Sequence, residues 1–317
     1  MEKHVAKAAP TRGRLRAAWT LILLAPLCAE LAFSAVGMPI MWVAFPFLIP
    51  MYGLGVLVVR DLVARAGGGW ASLLVMGLVY ELAEDGLGLQ ALTSPTLYDA
   101  AEWGPRIFGF NLTYWETQVG YHAVFSVLIP VVLTDLIFPA HRGRPYLRNG
   151  GLIGTAIAAV IGIAMLKVVF TSTTDPGYFA PLPFLGGVIV VMFALSFMAL
   201  RILPGRFPTR PTTSKRSIPR PVIAGMIAGV ATLAFLSLLM PMTNPPDSPA
   251  IGRGAFVLIP MTVAAIIGIG MAVVIARWNA STQMTDMHRI WLAGGALVGH
   301  TLFVIIAAVL YPADSFT

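Results

Sequence analysis

Between residues 70 and 89 the chain carries Glu81, Glu84 and Asp85 inside an otherwise apolar run. Positions i, i+3 and i+4 share one face of an α-helix, so the three carboxyl groups form a single acidic patch. Each ionised carboxylate near the centre of a membrane helix costs roughly 2.5–3.5 kcal/mol to insert. Three of them within one turn at low dielectric cannot all be ionised, because mutual repulsion adds to lost hydration. Coupled groups of this kind suit proton relay, general acid–base work, or coordination of a cation or an amine. An ionisable residue within a span is by default a functional candidate.

Four more residues join the set by position. Glu30 is enclosed by the apolar runs 21–27 and 31–36, His122 opens a later span, Lys167 lies near the end of another, and His300 falls near the middle of the last. Lys167 or a protonated histidine could neutralise a carboxylate, or Lys167 could snorkel to the interface. Asp135 lies at the opposite depth. His122, His300 and the carboxylates include metal-ligating types, but their spacing forms no local metal motif, so no metal and no cofactor is expected. Cys28 is the only cysteine, which excludes an internal disulfide and leaves a packing role.

Composition dictates the scaffold that carries these groups. Hydrophobic residues make up 57% of the 317 and charged residues 11%, against about 25% charged in a soluble domain. Apolar runs of about 20 residues select helices over the alternating pattern of a membrane barrel. The expected fold is all-α: a polytopic membrane protein of about nine transmembrane helices. The spans read as about 18–36, 40–59, 70–89, 119–138, 151–170, 181–200, 221–241, 254–276 and 290–311. They form one bundle (18–311), between a basic cytoplasmic tail (1–17) and a short external tail (312–317). With the N-terminus inside, all 21 basic residues except Arg106, Arg253 and Lys167 fall on cytoplasmic segments, which fixes N-in and C-out. The first span reads as uncleaved, since no small-x-small site succeeds it. Arg far outnumbers Lys and Ala and Gly are abundant, a composition that suggests a GC-rich bacterial genome and hence a bacterial plasma membrane.

The net charge of +7 is therefore a topology signal. The basic residues are dispersed over short loops, which excludes a nucleic-acid-binding face; the loop 201–220 could lie on anionic lipid. Stripes of small residues, Gly150/Gly154/Ala158/Gly162, Gly225/Gly229 and Gly295/Gly299, allow close helix approach within the bundle or in a homo-oligomer. Three spans share a Leu-Ile-Pro word, at Pro50, Pro130 and Pro260, where a freed carbonyl can kink the helix. The longest outer loop, 90–118, is rich in aromatic residues, among them Tyr98, Trp103, Phe108, Phe110, Tyr114 and Trp115, and suits an interfacial belt or a lid.

The order of an acidic helix, a mid-chain histidine and a late histidine is loosely similar to the CPBP-type intramembrane proteases. That family carries paired glutamates followed by an arginine, then separate histidine motifs. Here Glu84-Asp85 is the nearest acidic pair and Leu89 stands where the arginine would be. The resemblance covers three short points and implies proteolysis only if that arginine is dispensable. The leading expectation is a small-solute or ion permease with an outward-opening acidic site, proton-coupled through span 3. The alternatives are a membrane-embedded enzyme acting on a lipid or other hydrophobic substrate, and a non-catalytic partner subunit.

Overall fold

A computed structural model describes residues 13–97, 104–206, 216–239 and 254–310. The tail 312–317, most of the N-terminal tail, and Tyr98, Asp99, Glu102, Trp103, Arg210, Lys215 and Arg253 lie outside the described residues. Seven helices among the described residues are long and apolar enough to cross a membrane. They are α2 (Met41–Arg65), α4 (Leu112–Ile137), α5 (Asn149–Thr174), α6 (Leu182–Ile202), α7 (Pro221–Leu239), α8 (Leu258–Asn279) and α9 (Asp286–Leu310). Two further long helices stand among the described residues: α1, residues 14–31, and α3, residues 70–88. Each of these carries three charged residues: Arg14, Arg16 and Glu30 in α1, and Glu81, Glu84 and Asp85 in α3.

The centre of the molecule is α1 to α4. Helix α3 packs against α2, α4, α5 and α6, while α4 packs against α1, α3, α8 and α9. More than half of the apolar window of α4 is buried (56%), against 11% for each of α5, α6 and α8. A helix that is apolar all round and exposed needs an apolar solvent, so those peripheral helices face lipid. Helices α7 and α9 form the tightest pair: a Cβ on Gly229 would lie 2.8 Å from the Gly295 carbonyl oxygen. The paired stripes Gly225/Gly229 and Gly295/Gly299 thus let two backbones touch. Of the remaining stripe, Gly162 abuts Pro50 and Met51, whereas Gly150 and Gly154 meet nothing.

Each of the four central helices carries a wide π-type turn, at Leu27–Leu31 (the end of α1), Ile49–Leu54 (within α2), Leu82–Gly88 (the end of α3) and His122–Leu128 (within α4). Pro50 explains the second, because it has no N–H to continue the regular ladder. Such turns are rare and recur at functional sites.

The basic segments gather at one end. Arg60 Nη2 donates to the His141 carbonyl (2.9 Å) and pairs with Asp135 (3.2 Å); its guanidinium stacks 3.4 Å over the Tyr146 ring. Asp61, fully buried, accepts from the backbone N–H of Tyr146, and Arg142 pairs with Asp286 at 2.9 Å. Asp135 therefore belongs to this basic end.

The long loop expected over 90–118 differs from expectation. Arg106–Ile107 and Phe110–Asn111 pair as a small antiparallel hairpin, turned by Phe108 and Gly109, both at positive φ. Two positive-φ residues make the turn whose twist matches a hairpin. Asn111 Oδ1 then accepts from the Tyr114 N–H at 3.0 Å and caps α4, which starts at Leu112 rather than near 119.

Candidate functional site

The four wide turns converge. Leu27–Leu31 presents Glu30, Ile49–Leu54 presents Tyr52, Leu82–Gly88 presents Glu84 and Asp85, and His122–Leu128 presents His122 and Ser126. Helices α3 and α4 meet closely here because Gly77 leaves no side chain: a Cβ would lie 2.7 Å from the Ala123 Cα.

A hydrogen-bonded chain runs from Ser34 through Glu30 and Tyr52 to Glu84, and His122 stands just beyond its end. Ser34 Oγ donates to Glu30 Oε2 at 2.8 Å. The Tyr52 hydroxyl lies 2.6 Å from Glu30 Oε1 and 2.6 Å from Glu84 Oε1. A phenol has one proton to donate, so one of these two contacts needs a proton on the carboxyl side. Glu30 and Glu84 therefore share a proton across Tyr52. Beyond it, His122 Nδ1 sits 3.4 Å from Glu84 Oε2, and Nε2 sits 3.6 Å from Asp85 Oδ2. Tyr114 donates to Asp85 Oδ1 at 2.9 Å, and Ser126 Oγ is 2.9 Å from His122 Nδ1.

The cluster is not a hydrated surface patch. Relative exposure is 0% for Glu81, 3% for Glu84, 1% for Asp85 and 4% for His122, while Glu30 is partly exposed. The carboxylate oxygens that face His122, Glu84 Oε2 and Asp85 Oδ2, have no hydrogen-bond partner. A neutral imidazole has one donor and one acceptor nitrogen. Set between two carboxyl groups, it can take a proton from one and give a proton to the other. The separations are slightly too long for direct hydrogen bonds and suit transfer after a small approach, or through one water.

The other candidates are placed differently. Glu81 is buried in the same helix, yet neither of its oxygens is bonded; the Trp115 indole faces it without reaching hydrogen-bond geometry. His300 is fully buried and stacks on Phe125 (centroids 4.2 Å) and Phe33 (4.5 Å), with both ring nitrogens unpartnered. Tyr121 separates it from His122, at 5.3 Å and 5.2 Å between centroids, and donates its hydroxyl to the Ala29 carbonyl. Lys167 is not brought to the carboxylates. Its Nζ donates to the Tyr178 carbonyl at 2.8 Å and it forms no ion pair with the acidic residues of the site. Of the two expected alternatives, neutralising a carboxylate or snorkelling, the contact seen is of the second kind: the long stem lets the ammonium reach a loop carbonyl. Among the described residues no group of three or more His, Cys, Asp or Glu could hold a metal ion.

Sequence reasoning missed Tyr52 and Ser126, which carry no charge, and read Tyr114 only as part of an aromatic belt. The proline two residues before Tyr52 was a usable signal, because a broken ladder often marks a cavity or site.

Beneath the cluster lies an apolar layer. Val56, Leu57, Met76, Val79, Val127 and Val131 are buried together between the carboxylates and the Arg60–Asp135 group. From Tyr52 to Arg60 is eight residues of helix, about 12 Å. Searches of curated proteins and of solved structures give no match. The model of one family, described as an uncharacterized membrane protein family, matches residues 20–315, and with nearly its whole length covered the chain belongs to that family of membrane proteins.

Proposed function

We propose that this multi-pass membrane protein is a membrane-embedded enzyme that works by acid–base chemistry on a lipid or another hydrophobic substrate. The observation that carries the reading is the placement of His122 between the unpartnered oxygens of Glu84 and Asp85. Burial strengthens electrostatic coupling between such groups and keeps bulk water from short-circuiting proton transfer. Glu84 and His122 are the acid–base pair, Asp85 orients the imidazole, and Tyr52 connects the pair to the partly exposed Glu30, the point of proton entry. The apolar layer below favours this reading over a permease, because a transported ion would have to cross it unsolvated. The concentration of basic residues at the end that holds Arg14 supports a cytoplasmic N-terminus, and the composition supports a bacterial plasma membrane.

The test compares cells expressing wild type, Glu84→Gln or His122→Asn by mass spectrometry of total lipid and membrane-peptide extracts. A species consumed or formed only with wild type is expected. In parallel, proteoliposomes loaded with a pH-sensitive dye are given a pH gradient. Protein-dependent proton or solute-coupled flux that Glu84→Gln abolishes, without any change in the extracts, would establish the permease instead.

A further inference from the structure

At the basic end, away from the acid–base cluster, a shallow and largely open groove of about 680 Å³ lies between three helix ends. Its walls are Arg14, Arg65, Pro145, Leu147, Arg148, Asn149 and Gly150. We propose that this groove binds a phosphate group, supplied by an anionic lipid headgroup or by a soluble phosphate.

The charge is one-sided. No acidic residue lines the groove, and among the described residues neither Arg14 nor Arg148 has a carboxylate partner. Arg14 Nε is buried with no hydrogen-bond acceptor among the described residues, although a guanidinium N–H removed from water normally finds one. Arg65 is held in place by three contacts: Nε to Asp61 at 3.3 Å, Nη1 to Asn149 Oδ1 at 2.7 Å and Nη2 to the Leu147 carbonyl at 2.7 Å. Asp61 is already committed to Arg65 and to the Tyr146 and Leu147 N–H groups, so it does not neutralise the rest. The first intrahelical bond of α5 runs from Leu152 N–H to the Arg148 carbonyl. The N–H groups of the preceding residues, including the open Gly150, are left to an outside acceptor. Arginine forks with nearby backbone N–H groups are the donor set that phosphate oxygens accept from.

Location narrows the source of that phosphate to two. Arg14 begins α1, Arg65 ends α2 and Asn149 begins α5, so the groove lies where spans leave the membrane. Helices α1 and α5 continue inward with exposed Leu15, Trp19, Ile153 and Ile157. A headgroup in the groove would leave acyl chains against apolar surface, as in basic interhelical pockets for anionic lipid.

The experiment uses the full chain in a non-ionic detergent. Thermal melting is monitored with dihexanoyl phosphatidylglycerol, dihexanoyl phosphatidylcholine, inorganic phosphate, and chloride at matched ionic strength. Saturable stabilisation by phosphatidylglycerol but not phosphate assigns the lipid; stabilisation by inorganic phosphate over chloride assigns the soluble group. Each arginine is expected to contribute about fivefold, so Arg14→Gln with Arg148→Gln weakens the apparent affinity about twenty-five-fold, and the double Lys variant, which keeps the charge without the fork, retains part of it. Arg148 is exposed, so Arg148→Gln alone keeps the test decisive if the double variant does not fold; it should show about the fivefold loss. Equal response to phosphatidylcholine, or undiminished affinity in the Gln variants, overturns the proposal.

Discussion

Tyr52 is the residue on which the site turns, because its one hydroxyl proton has two carboxyl neighbours at 2.6 Å. The shared proton has a spectroscopic consequence. At neutral pH the infrared spectrum should contain a protonated, buried carboxyl band that Glu30→Gln or Glu84→Gln removes. Retention of all such bands in both variants would break the assignment. Tyr52→Phe leaves two carboxyl groups without their bridge and should lower stability by about 1–3 kcal/mol, read as a lower melting temperature. At this scale the sequence disclosed the charged members and concealed the neutral ones. Glu84 and Asp85 announce themselves by their cost in an apolar helix. Tyr52, Tyr114 and Ser126 have hydroxyls that become site groups only when other helices bring carboxylates and His122 to them.

Among elements, helix spacing is set by glycine where backbones meet. Gly229→Leu would push α7 from α9 and should destabilise by about 1–3 kcal/mol, while Gly154→Leu, open to its surroundings, should stay within about 0.5 kcal/mol. Melting curves of the two variants make the comparison, and equal effects would contradict the packing described. Both positions belong to similar four-residue stripes, so the stripe was legible but its partner was not. Pairing depends on which face of α9 reaches α7, a property of the whole bundle. Likewise the runs that became α3 and α6 were read nearly to their ends, whereas α2 runs on past the expected 59 to Arg65. The hairpin at 106–111 escaped because an aromatic residue at positive φ, Phe108, has no local signature.

For the whole molecule, two expectations are measurable. Cys28 is buried, so a Cys28→Ala chain supplies a thiol-free background. In it, Phe108→Cys at the exposed hairpin tip should react with a membrane-impermeant maleimide on intact cells, and Gly67→Cys should react only after lysis. The reverse pattern would invert the topology. Alkaline pH reports on the basic end. Burial, reinforced by Asp135 and Asp61 and opposed by Arg60, holds the Tyr146 phenol above its ordinary value of 10.0. The unfolded chain then releases its proton first, so stability is kept below pH 10 and falls as pH rises beyond it. Tyr178 lies on a loop and shifts in the same direction, so it adds to the decline. Melting temperature should drop above pH 10, and less steeply in Tyr146→Phe.

The wide turns at Leu27–Leu31 and Leu82–Gly88 end α1 and α3, whereas those at Ile49–Leu54 and His122–Leu128 divide α2 and α4 each into two registers. An expanded turn of one residue rotates the downstream half by about 100° relative to an unbroken helix. One half of α2 and of α4 can therefore satisfy the geometry of the apolar layer while the other aims polar groups at a common point. Requirements for a dry seal and for converging hydroxyl, carboxyl and imidazole groups are thus uncoupled along a single rod. Either half can change its facing residues without forcing the other to repack.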